Sequence, residues 1–302
     1  MLCHPEIEPA LDEDGLRTLL LLGPARPPES GVFRQISSLV PGHFAVLTPE
    51  SFTDHTYWRL EAHEHEDDLP TTIERTHTLI CDAARRQLVS DVPLACFLSG
   101  GLDSSILSML AAKDYAARGE TLHTWSVDYR DNDKYFTKSI FQPNSDDSYI
   151  DQMVDFLGTH HHRVVLEPEA LCAALLPATD ARALPGMADV DSSLLLFCAA
   201  VKRGGTTVCL SGECADELFG GYPWFHRESM LDCGTFPWTP TLAPRKSLLN
   251  ADFANTLRME DYVKNAYDRA VSEVDILPME NETETSRRRI GYLSIRFLCR
   301  HC

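Results

Sequence analysis

The densest chemistry in this chain lies in Phe97-Leu98-Ser99-Gly100-Gly101-Leu102-Asp103-Ser104-Ser105. The apolar run Val92-Pro93-Leu94-Ala95-Cys96 precedes it and reads as a buried strand. Residues 106–112 follow as an apolar-rich helix that runs to about residue 118. The stretch is therefore a strand, a tight glycine turn and a helix start. Adjacent glycines permit backbone angles that a side chain forbids and let the chain approach a ligand closely. Asp103, Ser104 or Ser105 is expected to cap the helix. Unpaired N–H groups at the helix start, at the positive end of its dipole, suit an anion. A pyrophosphate is the anion expected there. The bland alternative is a structural turn, which needs the same glycines.

A second loop follows an expected strand over 206–210. It reads Ser211-Gly212-Glu213-Cys214-Ala215-Asp216-Glu217-Leu218-Phe219-Gly220-Gly221-Tyr222. A hydroxyl, a glycine and three carboxylates fall within a few residues. Magnesium takes hard oxygen ligands, often one or two carboxylates together with phosphate oxygens. Asp103 and Asp216, one from each loop, suit that role. Glu213 and Asp216 are three apart, so on a helical turn they share a face. A carboxylate set among phosphates and metal can serve as a base. An acidic helix start would look the same.

The elements that position these loops alternate. Helices are expected over 71–88, 147–157, 169–176 and 192–202, and strands over 122–127 and 163–166. The inner face of the first helix is read as Ile73, Leu79, Ile80, Ala83, Ala84 and Leu88. Alternation of strand and helix means a parallel sheet with helices on both faces, an α/β fold, with ligands beyond the carboxyl ends of the strands. Residues 1–70 look different. A short helix is expected over 13–22, and strands over 32–40 and 43–47 are joined by Pro41-Gly42. The acidic stretch 61–68 reads as a solvated linker. This part is too small to bury much alone and should lean on something else. Beyond Gly221 the spacing is helical, over 222–232, 252–275 and from Arg287 onward.

The 302 residues allow one large domain or two modest ones, and 44% hydrophobic residues is ordinary for a globular protein. A net charge of −18 argues against nucleic-acid partners. No apolar run approaches the roughly twenty residues of a membrane span. Of ten cysteines, Cys81, Cys96, Cys172, Cys198 and Cys209 sit in apolar patterns as small hydrophobes, and the Cys299–Cys302 pair lacks a second pair for zinc. A reduced, cytoplasmic protein is expected. His160-His161-His162 is read as a loop-to-strand junction rather than a metal cluster, since successive strand side chains point to opposite faces. Residues 189–193 are read as a helix cap or as the acceptor side of the pocket. Lys113 is read as surface, Tyr222 to His226 as core, and the loop from Asp131 as a lid.

The string from Ser99 to Ser105 resembles the PP-loop of ATP pyrophosphatases, which cut ATP between the α and β phosphates. With both loops, nearly the whole chain resembles the glutamine-dependent asparagine synthetases of the bacterial B type. The resemblance implies a PP-loop α/β fold, ATP and Mg2+, and aspartate and ammonia as small-molecule partners. The implied reaction adenylates aspartate and lets ammonia displace AMP. It also implies roles for single residues. Leu98 meets adenine, and Ser99, Gly100, Gly101, Leu102, Asp103, Ser104 and Ser105 hold pyrophosphate. Val127 meets the nucleotide, and Ser211 and Gly212 meet ATP. Glu213 serves formation of the aspartyl adenylate and deprotonation of ammonia, and Asp103 and Asp216 hold magnesium. Residues 1–66 match the tail of the family's glutaminase domain plus a linker, and 67–302 the ATP-binding domain. The full-length family also suggests a homodimer.

Three departures qualify the resemblance. Cys3 follows Met1-Leu2, so it is no glutaminase nucleophile, and glutamine hydrolysis is expected to be absent from this chain. The chain ends before the family's later lysine and its arginine-rich segment, so truncation at both ends is expected. No arginine stands in 189–193, where related enzymes carry one for aspartate. A sibling synthetase that forms a β-lactam or cyclises a peptide remains an alternative, as does an inactive truncated product. Argininosuccinate- or guanylate-type PP-loop enzymes fit the second loop less well.

Overall fold

The computed structural model describes residues 2–23, 25–138 and 145–299. Its contacts divide the chain into two units, Met1–Glu64 with Cys214–Cys302, and His65–Glu213.

In the first unit, α1 (Glu13–Arg17) is capped by Asp12, whose carboxylate accepts the Gly15 N–H at 2.8 Å, and it continues as a π-helical turn over Thr18–Leu22. Strand β1 (His43–Leu47) forms as expected, but its partner is β2 (Phe52–Thr56), paired antiparallel with His43 opposite Thr56. The expected strand over 32–40 does not form. Val32 and Gln35 take positive φ values of 68° and 65°, which break extended backbone, and only isolated bridges join Leu11 to Phe33 and Ser30 to Ser37. Thr48 closes the hairpin instead, its hydroxyl accepting the Ser51 N–H at 3.1 Å.

The second unit opens with α2 (Leu69–Gln87), started by Asp68, which accepts the Thr71 N–H at 2.9 Å. Its buried stripe is Cys81, Ala84 and then Leu88. Ile73 and Leu79, read from the sequence as inner, are 61% and 69% exposed, because only the stripe facing the sheet leaves water. There follow β3 (Leu94–Phe97), α3 (Leu102–Ala117), β4 (His123–Tyr129), α4 (Asn132–Tyr135), α5 (Asp147–Leu157), β5 (His160–Leu166), α6 (Pro168–Arg182), α7 (Ala188–Arg203) and β6 (Val208–Leu210). The sheet is parallel throughout, in the order β5-β4-β3-β6.

Alternation along β3 builds a core on each face. Leu94 and Cys96 pack with Leu88, Ala111 and Leu122, under α2 and α3. Ala95 and Phe97 pack with Trp125, Phe197 and Val201, under α7. The expected α/β architecture holds. His160, His161 and His162 are the first three residues of β5, where the chain enters the strand, and side by side they alternate faces as strand residues do. Helix α7 begins before residue 192, so Asp189 and Asp191 occupy its first turn and are not its cap. Met187 takes the N-cap place without a side-chain bond. Cys172 and Cys198 are exposed, unlike the buried Cys81 and Cys96.

The first unit resumes with α8 (Ala215–Phe219), a 3-10 turn at Pro223–Phe225, α9 (Glu228–Leu231), α10 (Ala243–Ser247), α11 (Ala251–Leu257), α12 (Met259–Ser272) and α13 (Glu282–Phe297). The single helix expected over 252–275 breaks at Arg258, whose φ of 45° is left-handed. The last helix starts ahead of Arg287, because Asn281 and Glu284 form a capping box. Leu21 and Leu22 share one core with Phe236, Leu257, Met259, Leu293 and Phe297, so the early segment leans on these helices. The sequence suggested one break near residue 66. The contacts place limits after Glu64 and again after Glu213, within the second glycine loop. The tip of the loop from Asp131 (139–144) and the last three residues, with Cys302, lie outside the described residues.

Candidate functional site

Strands β3 and β6 are neighbours, with Cys96 beside Leu210, so the two glycine loops leave the sheet at the same level. The chain runs from β3 to β4 and β5 on one side and returns to β6 on the other. The crevice between β3 and β6 is thus the point where the winding reverses, the usual ligand position in such sheets.

In the first loop Gly100 takes φ 79°, a left-handed angle that favours glycine, and its α-carbon faces the start of α5. A Cβ there would meet the Asp146 carbonyl oxygen at 2.9 Å. Gly101 is the N-cap residue of α3 and supplies no side-chain cap. The expected capping by Asp103, Ser104 or Ser105 is replaced by bonds to the loop itself. The Ser104 hydroxyl accepts the Ser99 N–H at 3.2 Å and donates to the Gly101 carbonyl at 3.2 Å, and the Ser105 hydroxyl donates to the same carbonyl at 2.7 Å. The first intrahelical bond is from the Ser105 N–H to the Gly101 carbonyl, at 3.1 Å. The amides of Leu102, Asp103 and Ser104 precede it and have no helical acceptor, which makes the loop an anion cradle. Asp103 sits at the helix start, and its carboxylate has neither hydrogen bond nor ion pair among the described residues. A carboxylate so placed is free to take a hard cation.

The second loop touches this cradle. A Cβ on Gly212 would lie 3.0 Å from the Asp103 Cβ and 3.0 Å from the Ser104 nitrogen, so only glycine lets the loops meet. Glu213 is exposed, and its N–H donates to the Ser211 hydroxyl at 3.2 Å. Asp216 stands in the other unit, in the first turn of α8. Cys214, just before α8, holds φ 71°, a strained angle for a residue with a Cβ.

Beside the cradle, at the carboxyl ends of β3 and β4, opens a cleft of about 320 Å³. Leu98, Ser99 and Val127, three of the residues for which the family resemblance implies nucleotide contacts, line it. Leu98 is held by its N–H, which donates to the Trp125 carbonyl at 2.8 Å. Gly100 to Ser105, Ser211, Gly212 and Glu213 do not line this cleft. The sequence reading missed Ser126, Asp128, Asn132, Ile150 and Phe197, which do line it. A serine on a buried strand just before its carboxyl end was the available signal for Ser126.

A second, mostly carbon-lined cavity of about 530 Å³ shares Tyr129 with the cleft and includes Leu171, Leu175, Asp189 and Val190. Asp191 turns inward instead. It is 8% exposed and accepts a 2.6 Å bond from Arg182 Nη1. Lys113 is exposed, Trp224 is buried against Tyr222, and no His/Cys/Asp/Glu group among the described residues could hold a metal by itself. No helix of the described residues is long and apolar enough to cross a membrane.

The family model described as asparagine synthase matches residues 75–300. Asparagine synthetase [glutamine-hydrolyzing] 3 of Bacillus subtilis is 42% identical over 296 residues, 98% of this chain and 48% of that protein. Amidase chry2 of Gibberella zeae is 30% identical over 206 residues, 66% of this chain and 30% of that protein. The chain therefore spans about half the length of the first relative and under a third of the second. A crystal structure of NAD+ synthetase from Burkholderia pseudomallei, 14% identical, covers 74% of this chain and 91% of its own at a TM-score of 0.32, too low to bear on the fold. The family match extends over most of the chain, including both glycine loops and the sheet between them, and the chain belongs to the asparagine synthase family.

Proposed function

We propose that this chain carries the adenylating site for ATP-dependent synthesis of asparagine from aspartate. The observation that carries the reading is the contact of Gly212 with Asp103 and Ser104 at the point where the sheet's winding reverses. The adenosine lies in the cleft against Leu98 and Val127, and the β and γ phosphates lie on the free amides of the α3 start. An aspartate β-carboxylate oxygen attacks the α-phosphorus, and pyrophosphate leaves. Glu213 assists this adenylation. Ammonia then attacks the acyl carbon of the β-aspartyl-AMP, loses a proton to Glu213, and AMP departs. By the family resemblance Asp103 and Asp216 would be the residues that hold Mg2+, which would neutralise phosphate charge. The chain's residues supply mainly position and charge complementarity. The printed names of the synthetase relatives say that those proteins hydrolyse glutamine, which is the ammonia source we infer. A cytoplasmic location and a homodimer belong to the same reading.

Aspartate-dependent exchange of labelled pyrophosphate into ATP tests it, with Glu213→Gln expected to abolish exchange while nucleotide still binds. Binding of ATP without exchange for any acid would overturn the reading. Exchange with another acid but not aspartate would favour a sibling amide synthetase. The carbon-lined cavity beside Tyr129 supports that second reading, since it suits an acceptor with an apolar body.

A further inference from the structure

We propose that His161 is a positioning residue for nucleotide binding, fixing the Ser126 hydroxyl where it meets the cleft. The proposal rests on the nucleotide reading of that cleft. Thr124, Ser126 and His161 share one face of the sheet, Thr124 lying opposite His161 in the β4–β5 register. The ring of His161 spans both hydroxyls. Its Nδ1 is 3.0 Å from Thr124 Oγ1 and its Nε2 is 2.9 Å from Ser126 Oγ. Thr124 Oγ1 is in turn 2.9 Å from Thr159 Oγ1. Thr124 is 0% exposed and Ser126 4%, so water does not stand in for the ring. Ser126 also lines the cleft, with Leu98 and Val127.

The hydrogen count makes this arrangement directional. A neutral imidazole has one donor and one acceptor, so one of the two hydroxyls must donate to it and the other must accept. An imidazolium donates at both nitrogens, so both hydroxyls must accept. The Ser126 hydrogen then turns away from the ring. A neutral ring leaves Ser126 as donor or acceptor according to its tautomer, whereas the charged ring fixes it as an acceptor with its hydrogen free for a bound nucleoside. The charged and titratable groups around the ring are Arg163 and His162 on β5, and Asp151 on α5, with Asp147 also bound to Arg163. From β4 only hydroxyls face it. Burial, then Arg163, then His162 hold the imidazole below its ordinary range, against Asp151, which favours the neutral ring.

MgATP affinity, measured by calorimetry on the full chain from pH 5 to 8, tests this. His161→Phe should weaken binding about five- to tenfold, the worth of one oriented hydrogen bond. His161→Gln, which places an amide near the Nε2 position and does not titrate, should restore most of the affinity and flatten the pH profile. Ser126→Ala should weaken binding, and adding His161→Phe to it should cost nothing more. A His161→Phe penalty undiminished in the Ser126→Ala background, or a wild-type pH profile in His161→Gln, would overturn the proposal and leave the nucleotide reading standing. Wild-type protein that binds no MgATP at any pH would overturn the nucleotide reading, and the proposal with it. If His161→Phe does not fold, 15N histidine titration of wild type decides. A His161 pKa that moves on adding MgATP in wild type but not in Ser126→Ala supports the proposal, and one that stays put overturns it.

Discussion

Substituting alanine for Gly212 probes the contact on which the site depends. The added Cβ would sit 3.0 Å from the Asp103 Cβ, 3.0 Å from the Ser104 nitrogen and 3.2 Å from the Asp103 carbonyl carbon. Ordinary carbon contacts begin at about 3.5 Å. None of the three atoms is the end of a flexible side chain, so the loops must part by a few tenths of an ångström. Overpacking of this kind costs about 1–3 kcal/mol. If the cost falls on the second unit, amides of β3, β6 and the first turn of α3 should exchange roughly 5- to 150-fold faster, reading that range as an equilibrium shift. Hydrogen exchange followed by mass spectrometry resolves those peptides without averaging over the other unit. The same parting displaces the amides that hold the phosphates, so MgATP affinity should fall with it. Unchanged protection in β3, β6 and α3, together with unchanged affinity, would refute the claim that the loops meet through a glycine-only contact.

Two further expectations concern other parts of the second unit. Arg182→Ala leaves the carboxylate of Asp191 buried without its 2.6 Å partner. Removing one member of a fully buried pair costs about 3–5 kcal/mol, and the partial exposure of Arg182 should reduce this to about 1–3 kcal/mol in urea unfolding. No loss would mean that the pair contributes nothing to the start of α7. Cys96 and Cys209 have their thiols pushed up to about 12 and about 11, chiefly by burial, so both should resist iodoacetamide at pH 8 while Cys3 and Cys172 react. Peptide mapping reads this directly, and native-state alkylation of Cys96 would contradict its place in the core under α3.

Much of the second unit was legible because its signals are local. Short apolar runs beside proline or glycine mark β3 and β6, and the helix over 147–157 follows from its spacing alone. The first unit was harder to read. The strand over 32–40 failed because two residues with side chains adopt left-handed angles that no propensity announces. The helix over 252–275 is broken by Arg258 in the same way. Ile73 and Leu79 fit a helical stripe but lie off the one that the sheet covers.

The amino-acid string by itself determined the two glycine loops, the strands that feed them and the family to which they belong, because short-range sterics and capping chemistry depend only on neighbours in the chain. Tertiary structure alone decided that Gly212 closes on Asp103, that His161 reaches the hydroxyls of Thr124 and Ser126, and that Leu21, Leu22 and Ala25 share a core with the last helices. Those contacts join residues tens to hundreds of positions apart, and only the pairing of strands and the closing of cores bring such residues within bonding distance.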